Sequence, residues 1–369
     1  MSKRKVLQVS CDSLGYGGVQ TVIMNIVHSL KDEMDFDVLI FLDDYPKREF
    51  ERYGTIFKIL KKQSRNKIRR RIDALIWPLR IFLGTIHILQ HNGPYDVIHC
   101  HNYFESGICL LAAKLVGVPV RISHSHSSRF SSDAPNWRMR LYQSVLQYCI
   151  RKAAIVMLGC SEGSARLLFR GKNESIIMPN AIDLAQFDRS KYPATDANSF
   201  RLIQIGQICE NKNQIFSLKV FDFILSEYKD ATMVFIGDGY QKEKLLEMIN
   251  ICGWSDRVWI LPPDTDIPLY LSRSDIMLFP SHYEGFGIVL IEAQAMGLTC
   301  FASTAVPRET NLGLCHYLDL EDGSKAWADT ICTHFQQYGK TKQNVDATGF
   351  LLERYIDRIR EIYNGKKCI

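Results

Sequence analysis

Residues Glu284 to Gly297 read EGFGIVLIEAQAMG, and the residue types in that stretch suit the capture of a phosphate-bearing nucleotide. Gly285 and Gly287, with Phe286 between them, follow the apolar run DIMLFP (275–280) and let the backbone approach a ligand closely. A helix starting near Ile288 would aim its free N–H groups and positive dipole end at an anion. From Phe286 to Met296 the only polar side chains are Glu292 and Gln294, so Glu292 rides on a helix apolar enough to be buried. A carboxylate buried there is costly unless a donor meets it. Vicinal ribose hydroxyls are one such donor, and a structural Arg or Lys is another. Glu284 stands just before the glycines, beside the expected phosphate; a helix-start carboxylate that complements the dipole would fill the same place.

Other chemistry-bearing residues lie at the ends of apolar runs. Gly206 closes RLIQIG (201–206) and is followed by Gln207, while Lys212 opens the next helical pattern, a place that solvated lysines also take. Gly17 and Gly18 open the first helical pattern, where composition alone reads a turn. His124 and His126 sit in ISHSHS at the carboxyl end of a strand, and with His99 and His101 they form a set that could offer zinc ligands. The dinucleotide fingerprint G-x-G-x-x-G fails twice, since Gly15 and Gly17 are followed by Gln20, and Gly237 and Gly239 by Lys242. That argues against nicotinamide chemistry.

These residues need a scaffold, and the chain supplies strands alternating with helices. Apolar or β-branched runs fall at 6–10, 36–41, 96–100, 118–123 and 154–158, then at 201–206, 232–239, 257–261, 275–280 and 299–303, with helical periods between them. Such continuous runs describe parallel sheets covered on both faces. Near MPNAIDLAQF (178–187) the text turns polar, DRSKYPATDANS, which reads as a linker. The expectation is therefore α/β, with two Rossmann-like parallel-sheet domains facing each other across a cleft. Residues 1–183 form the first, 184–345 the second, and a helix in 346–369 crosses back to the first. Open α/β sheets bind ligands beyond the carboxyl ends of their strands.

Composition narrows the function class. The chain has 369 residues, 46% hydrophobic and 23% charged, and a formal charge of +5, which is too mild for a nucleic-acid binder. Its 11 cysteines are odd in number and contain no C-x-x-C pair, so reduced thiols in a cytosolic chain are expected rather than a disulfide frame. The start, MSKRKVLQVS, is too short in its apolar run for a signal segment.

Together these motifs resemble family 4 glycosyltransferases, which have the GT-B fold, in their bacterial capsule and exopolysaccharide branch. The resemblance rests on Glu284 and Glu292 with seven residues between them, FPSHYEGFG (279–287), ISHSHS (122–127), GCSEGSARLLF (159–169), PNAID (179–183), Gly206 with Lys212 and Asn213, GDG (237–239) and the Gly17–Gly18 loop. It implies retaining, metal-independent transfer of a hexose from a nucleotide diphosphate sugar, by default a UDP-sugar, to a saccharide or polyprenyl-linked acceptor. It makes Glu284, His124 and Lys212 catalytic, with His126 in reserve for His124, and assigns the donor to Glu292, Gly285, Phe286, Gly287, Gly206, Gln207, Gly17 and Gly18. No cofactor and no metal are implied, and no acidic D-x-D cluster appears where the other glycosyltransferase fold would need one. Where the family usually carries Arg after the first glycine, this chain has Gln207. That departure keeps open a nucleotide-sugar-binding subunit without turnover of its own; an epimerase on the same architecture is a third reading.

One further segment addresses location. Lys58, Lys61, Lys62, Arg65, Lys67, Arg69, Arg70 and Arg71 cluster without an acidic residue and abut the apolar IDALIWPLRIFLGTIHIL with Trp77 and Phe82. A cationic cluster beside an apolar, Trp-bearing helix suits an anionic membrane surface, and a solvated basic face with a buried back suits the same text. Cytoplasmic residence, peripheral at the inner face of the plasma membrane, is the expectation.

Overall fold

A computed structural model describes residues 3–10, 17–42, 48–60, 66–101, 103–129, 136–170, 175–192 and 199–366. Lys61, Lys62 and Arg65 of the basic cluster lie outside them, and of Lys67 and Arg70 only the backbone is described. The chain divides into two compact units, Met1–Asn180 with Glu353–Ile369, and Ala181–Leu352.

The first unit runs β1 (Arg4–Ser10), α1 (Gly18–Leu30), β2 (Met34–Ile40), β3 (Ile56–Lys58), α2 (Lys67–His91), β4 (Val97–His101), α3 (Ser106–Val116), β5 (Val120–Ser125), α4 (Trp137–Ala153), β6 (Val156–Gly159), α5 (Glu162–Phe169) and β7 (Ile176–Ile177). The second runs β8 (Arg201–Ile205), α6 (Gln214–Glu227), β9 (Thr232–Ile236), α7 (Lys242–Ile251), β10 (Val258–Leu261), α8 (Ile267–Arg273), β11 (Ile276–Phe279), α9 (Ile288–Ala295), β12 (Thr299–Ser303), β13 (Cys315–Leu318) and α10 (Gly323–Tyr338). The last helix, α11 (Leu352–Tyr363), belongs almost wholly to the first unit.

Strand order is β3-β2-β1-β4-β5-β6-β7 in one sheet and β10-β9-β8-β11-β12-β13 in the other. Every strand pairing among the described residues is parallel. Parallel strands need both faces covered, which explains their nearly unbroken apolar runs. In the second unit Phe221, Phe235 and Trp327 fill one core cluster, and Phe279, Leu290 and Met296 another. Each order reverses once, between β1 and β4 and between β8 and β11. At such a switch point the crossover connections diverge and leave a crevice beyond the strand ends.

α2 departs from its expected surface role in one detail. Trp77 is buried and packs edge-on against Phe41, 5.6 Å between ring centroids, so it serves the core and not a lipid face. Ile68, Ile72, Leu75, Ile76, Leu79 and Leu83 are the large exposed apolar residues of this helix. Its Arg71–His91 portion is long and apolar enough, by length and composition, to cross a membrane. Ile81, Thr85, Ile88 and Leu89 are buried in the first unit's core.

Candidate active site

At the second unit's switch point, β8 ends beside Gly206 and β11 beside Pro280. Gly206 has φ +145°, a conformation L residues rarely adopt, and a Cβ there would lie 3.4 Å from Lys212 Cε. The Lys212 stem thus runs along the half-buried backbone of Gly206. Gln207 is exposed, and its carbonyl accepts a hydrogen bond from Gln214 Nε2 at 2.9 Å. Lys212 ends a short 3-10 turn, Glu210–Lys212, whose carbonyl end is held by Gln204 Nε2 at 2.6 Å.

The Lys212 ammonium donates to Glu284 Oε1 at 2.5 Å, and it lies 4.9 Å from the Phe279 ring centroid. The two side chains are 20% and 10% exposed. A pair this sheltered interacts strongly, and removing either partner leaves an uncompensated charge. Glu284 and Lys212 are 72 residues apart in sequence, so the fold alone brings them together.

Their loops are tied to each other. Asn211 Nδ2 donates to the Tyr283 carbonyl at 3.0 Å, Asn211 Oδ1 accepts from Tyr283 N at 3.1 Å, and His282 N donates to the Asn211 carbonyl at 2.8 Å. Ser303 Oγ anchors the same loop through the Ser281 carbonyl at 2.5 Å. Asn211 carries no signal of this role in the sequence beyond its place in the run ENKN.

Gly287 caps α9 at φ +88°, in the left-handed region, which glycine enters without strain. No side chain caps this helix, so its first N–H groups are free of side-chain acceptors. Phe286 is buried, 6.0 Å from the Phe350 ring, and Gly285 is half-buried. Glu292 lies one turn into α9 and is only 9% exposed. Its Oε2 is buried with no hydrogen-bond partner, and among the described residues no Arg or Lys pairs with it. Burial pushes its carboxyl up to about 7. Gln294, the other polar residue of α9, is spent on structure: its amide bonds Leu290 and Thr310 carbonyls and the N–H groups of Leu312 and Leu314.

The remaining expected residues belong to the first unit. Gly17 and Gly18 are exposed at the start of α1, and the Gly17 carbonyl accepts from Thr21 N. His124, the preferred donor-facing histidine of the sequence reading, is fully buried, and neither ring nitrogen has a partner. His126 is the more exposed of the two. They stack in a column with His99 and His101, the His99–His101 and His124–His126 centroids each 4.0 Å apart.

The hydrogen bonds of that column fix its tautomers in part. Gln8 Nε2 donates to Tyr363 Oη at 2.8 Å, so Gln8 Oε1 is the acceptor facing His101 Nε2 at 2.9 Å. His101 Nε2 then carries the proton, and His101 Nδ1 accepts from His126 Nε2 at 3.1 Å. His99 Nδ1 meets Tyr363 Oη at 2.8 Å. Burial, and then the neighbouring rings, hold His99, His101 and His124 well below the usual imidazole range, so all three are neutral at pH 7. Ligand atoms of His99, His101 and His124 lie within 4.8 Å of one another, close enough for these three to be the metal-holding candidates among the described residues.

The family described as glycosyltransferase family 4 matches residues 16–186, and that described as glycosyl transferases group 1 matches residues 187–310. EpsF of Bacillus subtilis (strain 168), which bears a glycosyltransferase name, is 30% identical over 348 residues, covering 89% of this chain and 87% of that protein. An Escherichia coli UDP-Gal:alpha-D-GlcNAc-diphosphoundecaprenol alpha-1,3-galactosyltransferase is 23% identical over 320 residues, covering 79% and 80%. The crystal structure of Anabaena Alr3699/HepE in complex with UDP and glucose superposes with a TM-score of 0.75 at 17% identity, covering 98% of this chain and 99% of that one. That similarity shows a shared GT-B fold.

Proposed function

The chain belongs to glycosyltransferase family 4, and from that premise we propose that it moves a hexose from a UDP-sugar to a saccharide or polyprenyl-linked acceptor, with retention, in the building of a cell-surface polysaccharide. One observation carries the donor half of this reading: Glu292, a carboxylate buried on α9 whose Oε2 has no partner. Such a group asks for a donor. The vicinal hydroxyls of a ribose supply two, and α9's uncapped N-terminus one turn away suits the attached diphosphate. HepE, a protein of the same fold, binds UDP, UDP-glucose and glucose.

In this reading the bond from sugar C1 to the phosphate oxygen breaks, its electrons pass to the departing UDP, and the acceptor oxygen attacks C1 from the same face. The acceptor proton goes to the leaving phosphate oxygen. Lys212 and the α9 N–H groups stabilise the charge that builds on that phosphate, where fixed positive groups lower the barrier most. Glu284 orients sugar hydroxyls, exchanging its Lys212 contact for them when the donor enters. Because the chain's own cations perform the electrostatic role, turnover is expected without an added metal.

The test is a donor screen with mass spectrometry of the product. UDP release that requires an acceptor, leaves an α-linked sugar and persists in EDTA agrees with this reading. Saturable UDP-sugar binding with no UDP release favours the non-catalytic subunit instead, the reading that Gln207 in place of Arg keeps alive.

The acceptor half rests on the first unit's surface. α3 packs against both α2 and α4. Beside the exposed residues of α2 stand Leu115 of α3 and Trp137, Leu141, Val145 and Tyr148 of α4, all exposed. Across these three helices the sequence carries ten Lys and Arg and one acid, Asp73. Exposed apolar side chains on helices rich in Lys and Arg suit the inner, anionic leaflet where polyprenyl-linked acceptors reside. Flotation with phosphatidylglycerol vesicles, but not with neutral ones, is the expected result, lost on changing Arg69 and Arg71 to Glu. Indifference to lipid charge would remove the membrane from the account.

A further inference from the structure

We propose that Asn211 is a positioning residue of the donor site, its side chain setting the separation between the Lys212 ammonium and the Glu284 carboxylate. The inference rests on the reading of these two residues given above, and deepens it.

A carboxamide offers a donor and an acceptor in one plane. Asn211 spends both on the backbone of a single residue, giving Nδ2–H to the Tyr283 carbonyl and taking the Tyr283 N–H on Oδ1, while its own carbonyl takes the His282 N–H. Three bonds therefore join the two loops beyond the ends of the paired strands β8 and β11. Asn211 immediately precedes Lys212, and Tyr283 immediately precedes Glu284. The backbone carrying the cation and the backbone carrying the carboxylate thus cannot shift independently. The other restraints on Lys212 are a one-turn 3-10 element, the Gln204 bond to its carbonyl, and the packing of its stem on Gly206 and its ammonium on the Phe279 ring. Ser303 holds the 280–287 loop at Ser281, two residues upstream of the clamp, and does not reach toward Lys212. A catalytic group displaced by about 1 Å loses on the order of a hundredfold in rate, so this clamp matters to chemistry well beyond the worth of its bonds to folding.

The experiment compares Asn211→Ala and Asn211→Asp with the wild-type chain. Asp keeps the side chain's size and one acceptor but turns a carboxylate oxygen toward the Tyr283 carbonyl, so it carries the comparison if the Ala variant does not fold. For both variants kcat for UDP release is expected to fall about tenfold to a hundredfold, with the Kd for UDP within about threefold of wild type. On a Glu284→Ala background, adding Asn211→Ala is expected to cost less than about twofold more, because groups that act as one unit are not additive. A crystal structure of Asn211→Ala is expected to show Lys212 Nζ and Glu284 Oε1 beyond hydrogen-bond reach. A folded variant with wild-type kcat, an undiminished loss on the Glu284→Ala background, or an unchanged Lys212–Glu284 contact overturns the proposal. If the wild-type chain releases no UDP from any donor, the transfer reading fails, and the distance in the Asn211→Ala crystal still decides the clamp.

Discussion

The first unit fills its switch point with Gln8, His99 and His101 from β1 and β4, and Tyr363 of α11 bonds both Gln8 and His99 there. The second leaves the backbone of Gly206 open between β8 and β11 and sets Lys212 against Glu284, with Glu292 behind on α9. One strand order thus supports two chemistries. Both places hold buried polar atoms without partners, among them His124 Nδ1 and Nε2 in the first and Glu292 Oε2 in the second. A neutral ring without a partner costs far less than a carboxylate without one. The difference teaches where a ligand is demanded: the first unit's unpartnered atoms sit on neutral rings, while the second's sits on a carboxylate and asks for a donor.

The largest effect that sharpens this contrast belongs to Lys212. Lys212→Ala is expected to lower UDP release by about 10²- to 10³-fold, the usual cost of losing one preorganised stabiliser of developing charge, and the Tyr363→Phe change in the other unit much less. If the two variants slowed transfer equally, the second switch point would not be the seat of the chemistry.

Next comes Glu292. Glu292→Gln keeps the shape and removes the charge that ribose hydroxyls would bond, so UDP affinity is expected to fall about tenfold, the scale of one charged hydrogen bond. With its carboxyl at about 7 in the empty unit, Glu292 is half protonated at neutral pH. Hydroxyl donors favour the ionised form, so binding expels a proton. UDP affinity is therefore expected to rise from pH 5.5 to 8, with proton release visible as a buffer-dependent calorimetric enthalpy. An affinity flat across that range, or one unchanged in the Gln variant, breaks the link between this carboxylate and the ribose.

The sequence displayed much of this architecture because parallel strands must be apolar on both faces, and runs such as DIMLFP and RLIQIG announce themselves. Shorter edge elements did not. β3, β7 and β13 have two to four residues each, and a text such as CHYL becomes a strand only because β12 lies beside it to pair with. α4 was hidden for another reason: its Trp137, Leu141, Val145 stripe faces outward while Leu146, Ile150 and Ala153 are buried, so apolar residues do not mark a single face. The EGFG and EAQAMG text made Glu284 and Glu292 visible as candidates, since an acid in an apolar helix is conspicuous. That Lys212 touches Glu284, or that Asn211 ties their loops, is a matter of tertiary register over 72 residues, which local spacing does not encode. Trp77 answers to the second of the two readings its segment left open, a solvated basic face with a buried back, since the helix turns it onto Phe41.

The smallest expected effect tests the first unit's side of the comparison. Tyr363→Phe removes the hydroxyl that receives Gln8 Nε2 and meets His99 Nδ1, at a cost of about 1–3 kcal/mol for buried groups left unpaired. UDP affinity should not move. The pH dependence of stability then separates the units by sign. His99, His101 and His124 are held below 6.5 in the folded chain, so the unfolded chain takes up their protons first and stability falls as pH drops below about 6.5. Glu292 runs the other way. Its folded carboxyl lies above its unfolded value of 4.5, so its contribution is largest below that value and is lost as pH climbs from 4.5 through 7. Hydrogen exchange read peptide by peptide, corrected for intrinsic rates, is expected to show protection in β4 and β5 falling from pH 7.5 to 5.5 while protection around α9 rises. UDP should erase the pH dependence of the second and leave the first untouched. Parallel behaviour in the two units would mean that neither polar cluster governs its own sheet, and the contrast drawn between the switch points would have no energetic content.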